Sequence, residues 1–183
     1  MELEIIAIYC WCELILNQLN IKDDCRTVYT EEKYRGYQAS KKRYFYGIKV
    51  HMVVTTDGKP IEFILSPGSC SDIKGFKGLD LDLPEGSTIY GDKAYTDYDE
   101  EDLLAELKVD LKPQRKENSK RQHSGCMNYL IDCKRKMVET AFSGIARLFP
   151  KHIHAVTAKG FELKVALFAC IPSFEVLTQA ISI

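Results

Sequence analysis

Asp92 is the residue whose position most clearly suggests chemistry. It follows a short apolar run at 88–90 (TIY) and precedes a polar segment that then takes on helical spacing. A carboxylate directly after a buried strand is held firmly while it stays open to solvent, a position that suits a metal ligand or a catalytic acid. A turn aspartate that accepts backbone hydrogen bonds follows a strand in the same way. Both interpretations stay open on spacing alone.

The sequence before the run at 88–90 predicts three strands and one short helix. Residues 5–10 (IIAIYC) are continuously apolar and predict a buried strand. Residues 43–55 alternate with a period of two, residues 56–59 (TDGK) supply an Asp-Gly turn, and residues 61–65 return as the partner strand. Ser71 and Asp72 predict the start of a short helix that runs to Gly78.

The sequence after the strand at 88–90 predicts three helices, with a short strand and a basic loop between the first and the second. The loop (QRKENSKRQHSG) contains no apolar residue, which is typical of a mobile segment. Pro150 and Pro172 are expected to end the last two helices. In chain order, the predicted elements are a helix at 98–107, a strand at 109–111, the loop at 114–125, a long helix at 128–149 and a helix at 160–170.

This order of elements predicts an α/β fold. An antiparallel hairpin lies beside strands joined by helical crossovers, and helices flank the mixed sheet. A ribonuclease-H-like sheet has this order. No internal repeat and no linker divides the 183 residues, so we expect a single domain over 1–183.

The composition is that of an ordinary globular protein, with 45% hydrophobic and 28% charged residues. The net charge of −1 excludes a global field that attracts nucleic acid or anionic membrane. Two local basic clusters suit phosphate binding, although a mixed-charge surface is the commoner use of such residues. They comprise Lys33, Arg35, Lys41, Lys42, Arg43 and Lys49, and Lys112, Arg115, Lys116, Lys120 and Arg121.

The seven cysteines predict reduced thiols in a cytoplasmic protein, because their number is odd and no Cys-x-x-Cys pair occurs. His152 and His154 with Cys126 or Cys133 match no standard zinc spacing. The apolar stretches are shorter than the roughly 20 residues that span a bilayer, so we expect no membrane partner.

Three long segments resemble the catalytic domain of bacterial insertion-sequence transposases of the DDE type. They are YRGYQASKKRYFYGIKVHMVVTTDGKPIEFILSPGSCSD, LPEGSTIYGDKAY and KMVETAFSGIARLFPKHIHAVTAKGFELKV, and the resemblance covers residues 29–165. It implies a ribonuclease-H-like fold, an Asp-Asp-Glu triad with two Mg²⁺ ions, and DNA strand cleavage and transfer in transposition. It also implies DNA as the partner (element ends and target), a homodimer in a transposition complex, and a cytoplasmic, nucleoid-associated location. A ribonuclease or resolvase on the same fold matches the segments less well.

The resemblance assigns two members of the triad. Asp92 in YGDKAY matches the second Asp, and Glu139 in KRKMVETAFS matches the Glu. Arg135 lies four residues before Glu139 and shares its helix face. Such an Arg contacts the DNA backbone or orients the Glu in related transposases. An exposed salt bridge is the alternative interpretation.

The first triad Asp has no clear match. The family places it at the end of the first strand, in a segment similar to Asp-Ser-x-Pro, but no Asp or Pro occurs between Ile5 and Lys22. Glu13, Asp23 and Asp24 remain as candidates for the third ligand. We therefore expect residues 1–28 to be divergent, as after truncation or a frameshift, and the usual N-terminal DNA-binding region to be missing. The chain is then either an active transposase domain or an inactive remnant that binds DNA without catalysis.

Basic residues in the two clusters and beside Asp92 are the expected DNA contacts. They are Lys41, Lys42, Arg43, Lys93, Arg115, Lys116, Lys120 and Arg121, together with Arg135. Tyr44, Phe45 and Tyr46 suit either base stacking or core packing, and core packing is the favoured interpretation. His51 in the hairpin either reaches the site or is a satisfied histidine of the sheet, and the second is favoured.

Overall fold

A computed structural model describes residues 5–10, 29–38, 42–56, 58–148, 153 and 155–181. For residues 5–10, 141, 145, 146, 148 and 171–181 it describes the backbone alone. Several residues singled out in the sequence lie outside the described residues. They are Glu13, Asp23, Asp24, Lys41, His152 and His154.

The described residues form a five-stranded sheet in the order β5-β4-β1-β6-β7. Strand β6 pairs in parallel with β1, with Gly91 opposite Ile8, and in parallel with β7, with Gly91 opposite Pro113. The predicted hairpin is confirmed, because β4 and β5 are neighbours joined by a short turn. The strands are β1 Ile5–Cys10, β4 Ile48–Thr55, β5 Pro60–Pro67, β6 Thr88–Gly91 and β7 Asp110–Pro113.

A second, two-stranded sheet precedes the hairpin. Strands β2 (Arg35–Gln38) and β3 (Arg43–Tyr46) pair antiparallel. The prediction of one continuous strand over 43–55 was wrong, because β3 ends at Tyr46, β4 begins at Ile48, and Gly47 belongs to neither strand. The chain departs from the ladder there because the Gly47 N–H donates to the Tyr34 carbonyl (3.0 Å) and its own carbonyl accepts from the Gly68 N–H (2.9 Å).

Four α-helices occur in the described part of the chain: α1 Asp72–Phe76, α2 Tyr98–Glu106, α3 Gly125–Leu148 and α4 Ala158–Ile181. The prediction that Pro172 ends the last helix was wrong, because α4 runs through it. A proline removes one backbone N–H, and the hydrogen bonds of the following turns continue the helix beyond it. Among the described residues, no helix combines the length and apolarity that a membrane span needs.

The chain groups into two compact units, each with its own core. One unit comprises Met1–Tyr9, His51–Ile64 and Asp72–Ala141, and the other comprises Cys10–Val50, Leu65–Ser71 and Phe142–Ile183. Buried aromatic pairs mark each core: the Phe76 and Tyr95 ring centroids lie 6.2 Å apart in the first unit, and those of Tyr29 and Phe161 lie 5.8 Å apart in the second. The single domain over 1–183 stays a prediction.

His51 packs inside the first unit. Its side chain is fully buried, and its imidazole lies directly over the Cα of Gly75 in α1. A methyl group at position 75 would overlap the imidazole ring. This surrounding favours the interpretation of His51 as a core residue of the sheet.

We expect Gly75→Ala to lower the free energy of unfolding by about 1–3 kcal/mol, because the new methyl group overpacks a filled site. Gly144→Ala is the matched control, since nothing lies within 4 Å of its added methyl group and helix α3 gains about 1 kcal/mol. Urea denaturation followed by circular dichroism measures both. Equal stability of the two variants would contradict this packing.

Candidate active site

Asp92 lies directly after β6 and begins a 3₁₀ turn at Lys93–Tyr95. Its Oδ1 accepts the backbone N–H of Lys93 at 2.7 Å, so the turn interpretation is correct for one oxygen. The carboxylate is half-buried, and its Oδ2 has no hydrogen-bond partner among the residues that the structure describes. One oxygen therefore holds the side chain in place while the other stays available to a ligand.

Gln114 connects this strand end to helix α3. Its backbone N–H donates to the carbonyl of Gly91 at 2.8 Å. Its side-chain Nε2 donates to Oδ1 of Asp132 at 2.7 Å, and its Oε1 accepts from Nη1 of Arg135 at 3.4 Å. The sequence analysis missed Gln114, although a polar residue directly after a strand parallel to β6 is a signal that could have found it.

Glu139 completes this series of polar contacts. Its Oε1 lies 3.2 Å from Nε of Arg135, one helical turn earlier on α3. The two side chains are 48% and 38% exposed, so the pair stabilises the fold by only about 0.3–0.5 kcal/mol. Arg135 lies between Gln114 and Glu139, and this position favours orientation of the carboxylate as its role.

Two hard oxygen donors, Asp92 and Glu139, suit Mg²⁺, which prefers carboxylates and keeps several waters. The described residues contain no group of three or more His, Cys, Asp or Glu side chains that could hold a metal ion. Strand β1 lies beside β6 in the register Ile8 to Gly91, and its sequence IIAIYC contains no carboxylate. The residues therefore fit part of a metal site, and β1 does not supply the remaining ligand.

The basic segment at 114–124 forms the predicted loop between β7 and α3, and two of its arginines contact α2. Arg115 donates to both carboxylate oxygens of Glu101, at 2.5 and 2.7 Å, and their side chains are only 4% and 8% exposed. Arg121 donates to both oxygens of Asp102, at 2.7 and 2.8 Å, which lowers the pKa of Asp102. The guanidinium carbon of Arg121 also lies 4.8 Å from the centre of the Tyr98 ring.

The predicted DNA contacts differ in how accessible their side chains are: one is buried, two are paired but partly accessible, and four are exposed. Arg115 is buried in its ion pair with Glu101, so its side chain is inaccessible to a phosphate. Arg43 donates to the Gln38 side chain at 3.2 Å, and Arg121 is paired but 45% exposed. The side chains of Lys42, Lys93, Lys116 and Lys120 are exposed.

The strand order, the parallel β1–β6–β7 pairing and the helices define a mixed α/β fold of the ribonuclease-H-like class. Residues 22–171 match the family model described as transposase DDE domain, and the chain belongs to that family. Family membership implies transposition as the process, DNA as the partner and a divalent metal ion as the cofactor. No curated protein and no solved structure matches the chain.

We expect Arg115→Met to lower the free energy of unfolding by about 3–5 kcal/mol, because it leaves the buried Glu101 carboxylate without its partner. Arg121→Met is the control, because the Arg121–Asp102 pair is exposed. Its loss should lower the free energy of unfolding by about 1 kcal/mol or less. Urea titrations measure both variants. A stable Arg115→Met protein with weakened DNA binding would instead restore Arg115 as a phosphate contact.

Proposed function

We propose that this chain is the catalytic part of a transposase, in which Asp92 and Glu139 bind divalent metal ions used for DNA strand cleavage and strand transfer. The observation that carries this proposal is the series of contacts from Gly91 through Gln114 and Arg135 to Glu139. That series ties the strand end beside Asp92 to the helix of Glu139. Both residues occupy the positions that the resemblance gives to the triad.

The chain's own groups have distinct parts in this proposal. Asp92 presents Oδ2 as a ligand while Oδ1 keeps the bond to Lys93 N–H. Arg135 holds Glu139 from one side and is itself held by Gln114. Mg²⁺ held by Asp92 and Glu139 would activate the attacking oxygen and stabilise the leaving oxygen.

The presence or absence of a third metal ligand distinguishes two candidate functions. In an active domain, Glu13, Asp23 or Asp24 supplies it. The second candidate function is DNA binding without catalysis, and the observation that favours it is the absence of a carboxylate from β1, the strand beside Gly91. The family match begins at residue 22, so β1 and Glu13 lie outside it. Residues 22–28 lie inside that match, so the proposed divergence narrows to residues 1–21, and it belongs to the second candidate.

DNA phosphates are the proposed ligands of the exposed cations. Lys93 follows Asp92 directly, and Lys116 and Lys120 lie on the segment that Arg115 and Arg121 anchor. Lys41, Lys42, Arg43 and Arg121 complete the proposed set, whereas Arg135 serves to orient Glu139. A homodimer on DNA and a cytoplasmic, nucleoid-associated location are parts of the same proposal.

We expect the purified chain to nick supercoiled plasmid with Mg²⁺ or Mn²⁺ if the third ligand is present. Asp92→Asn and Glu139→Gln should each abolish nicking, because an amide is a poor ligand for a hard cation. Agarose gels measure the conversion to open circles.

Lys136→Gln is the matched control, since this exposed cation lies on the same helix and has no part in the proposed site. Nicking that survives Glu139→Gln would contradict the assignment. No nicking by a folded wild-type chain that still binds DNA would establish the second candidate instead.

We expect Lys116→Gln with Lys120→Gln to reduce the salt dependence of duplex binding by about 0.9 in log–log slope for each phosphate that the protein no longer neutralises. Fluorescence anisotropy at a series of salt concentrations measures the slope. Lys59→Gln with Lys108→Gln removes the same charge outside the proposed set and is the control. Equal slopes for the two double variants would contradict this assignment.

A further inference from the structure

The small sheet of β2 and β3 has two different faces. Its register pairs Arg35 with Tyr46, Gly36 with Phe45, Tyr37 with Tyr44, and Gln38 with Arg43. Because successive side chains of a strand point to opposite sides, Tyr37, Tyr44 and Arg35 share one face with Tyr46.

The opposite face is anchored. Gly36 is buried there, and a side chain at this position would overlap the Phe45 ring and the carbonyl oxygen of Gly68. Gln38 is also buried and accepts from Nε of Arg43 at 3.2 Å. Packing on this side fixes the sheet, so its outer face is held in one orientation.

The outer face exposes two aromatic rings. Tyr37 is 54% exposed and Tyr44 is 60% exposed, and their ring centroids lie 5.0 Å apart. The guanidinium carbon of Arg35 lies 4.1 Å from the centre of the Tyr44 ring. Core packing, the favoured sequence interpretation for Tyr44, was therefore wrong. Adjacent exposed rings beside a cation are the components with which proteins stack the bases of single-stranded nucleic acid.

The charge around this face suits a polyanion. Residues 29–46 contain five Lys and Arg residues but only two acidic residues, Glu31 and Glu32. Both acids are paired: Glu31 lies 2.8 Å from Lys33 and Glu32 lies 2.9 Å from Arg35. Lys42, at the turn before β3, is exposed to solvent. An excess of positive charge therefore remains beside the rings.

We propose that this face binds unpaired bases of single-stranded DNA, with Tyr37 and Tyr44 as the stacking platform, Arg35 packed on the Tyr44 ring, and Lys42 as the phosphate contact. Unpaired DNA is the occupant because the flat faces of bases are covered by their neighbours in a duplex, and only an unstacked base offers its face to a tyrosine ring. The proposal rests on the proposed function only for DNA as the partner. It requires neither Asp92, Glu139 nor a metal ion.

The test measures binding of a fluorescein-labelled oligothymidine and of a labelled duplex by anisotropy, in EDTA. Tyr37→Ala and Tyr44→Ala should each weaken oligothymidine binding about tenfold, and Tyr37→Phe and Tyr44→Phe, which keep the ring, should remain within about twofold. Duplex binding should be unchanged in all four variants. Circular dichroism and size-exclusion chromatography establish that the variants are folded and report their oligomeric state.

A photocrosslink from 5-bromodeoxyuridine in the oligonucleotide to Tyr37 or Tyr44 would support the proposal independently of any variant. Unchanged oligothymidine binding by the alanine variants would overturn it, as would an equal weakening of oligothymidine and duplex binding. A change of oligomeric state without a change in DNA binding would also overturn it and would assign this face to a contact between copies of the chain. Ring-dependent binding by a chain that does not nick DNA would leave this proposal standing while metal-dependent cleavage fails.

Discussion

The candidate site depends on the position of β6, which is hydrogen-bonded to a parallel strand on each side. The register places Gly91 opposite Ile8 of β1 and Pro113 of β7, so the residues that follow β6 and β7 leave the sheet at the same edge. Gly91 then accepts the N–H of Gln114. Asp92 is thereby fixed by the sheet itself, and its bond to the Lys93 N–H adds local rigidity.

The link from this edge to Glu139 consists of partly exposed, individually weak contacts, and its geometry depends on what holds Gln114 in place. The next residue, Arg115, is buried in its two hydrogen bonds with Glu101. An ion pair that is this inaccessible is costly to break, so it fixes the backbone on one side of Gln114 while β7 fixes the other.

The sequence was sufficient for the strand that ends before Asp92, the hairpin and the long helix, because apolar periodicity and turn residues are local signals. It was insufficient for Arg115, since nothing local shows that a cation in a polar run pairs with Glu101 fourteen residues earlier on another element. Tyr44 was misjudged for a related reason: its burial depends on which face of a short strand is covered, and Gly47 separates that strand from β4. The family resemblance supplied Glu139, which periodicity alone marks only as one polar residue on a helix.

Metal-directed cleavage of the protein backbone tests the central claim most directly. Fe²⁺ in place of Mg²⁺, with ascorbate and peroxide, generates hydroxyl radicals that cut the chain beside the bound ion, and mass spectrometry locates the cuts. We predict cuts near Asp92 and near Glu139 that Mg²⁺ suppresses and Asp92→Asn abolishes. A further cut near Glu13 or near Asp23 and Asp24 would identify the third ligand. Cuts that avoid both Asp92 and Glu139, or that persist in Asp92→Asn, would contradict the site.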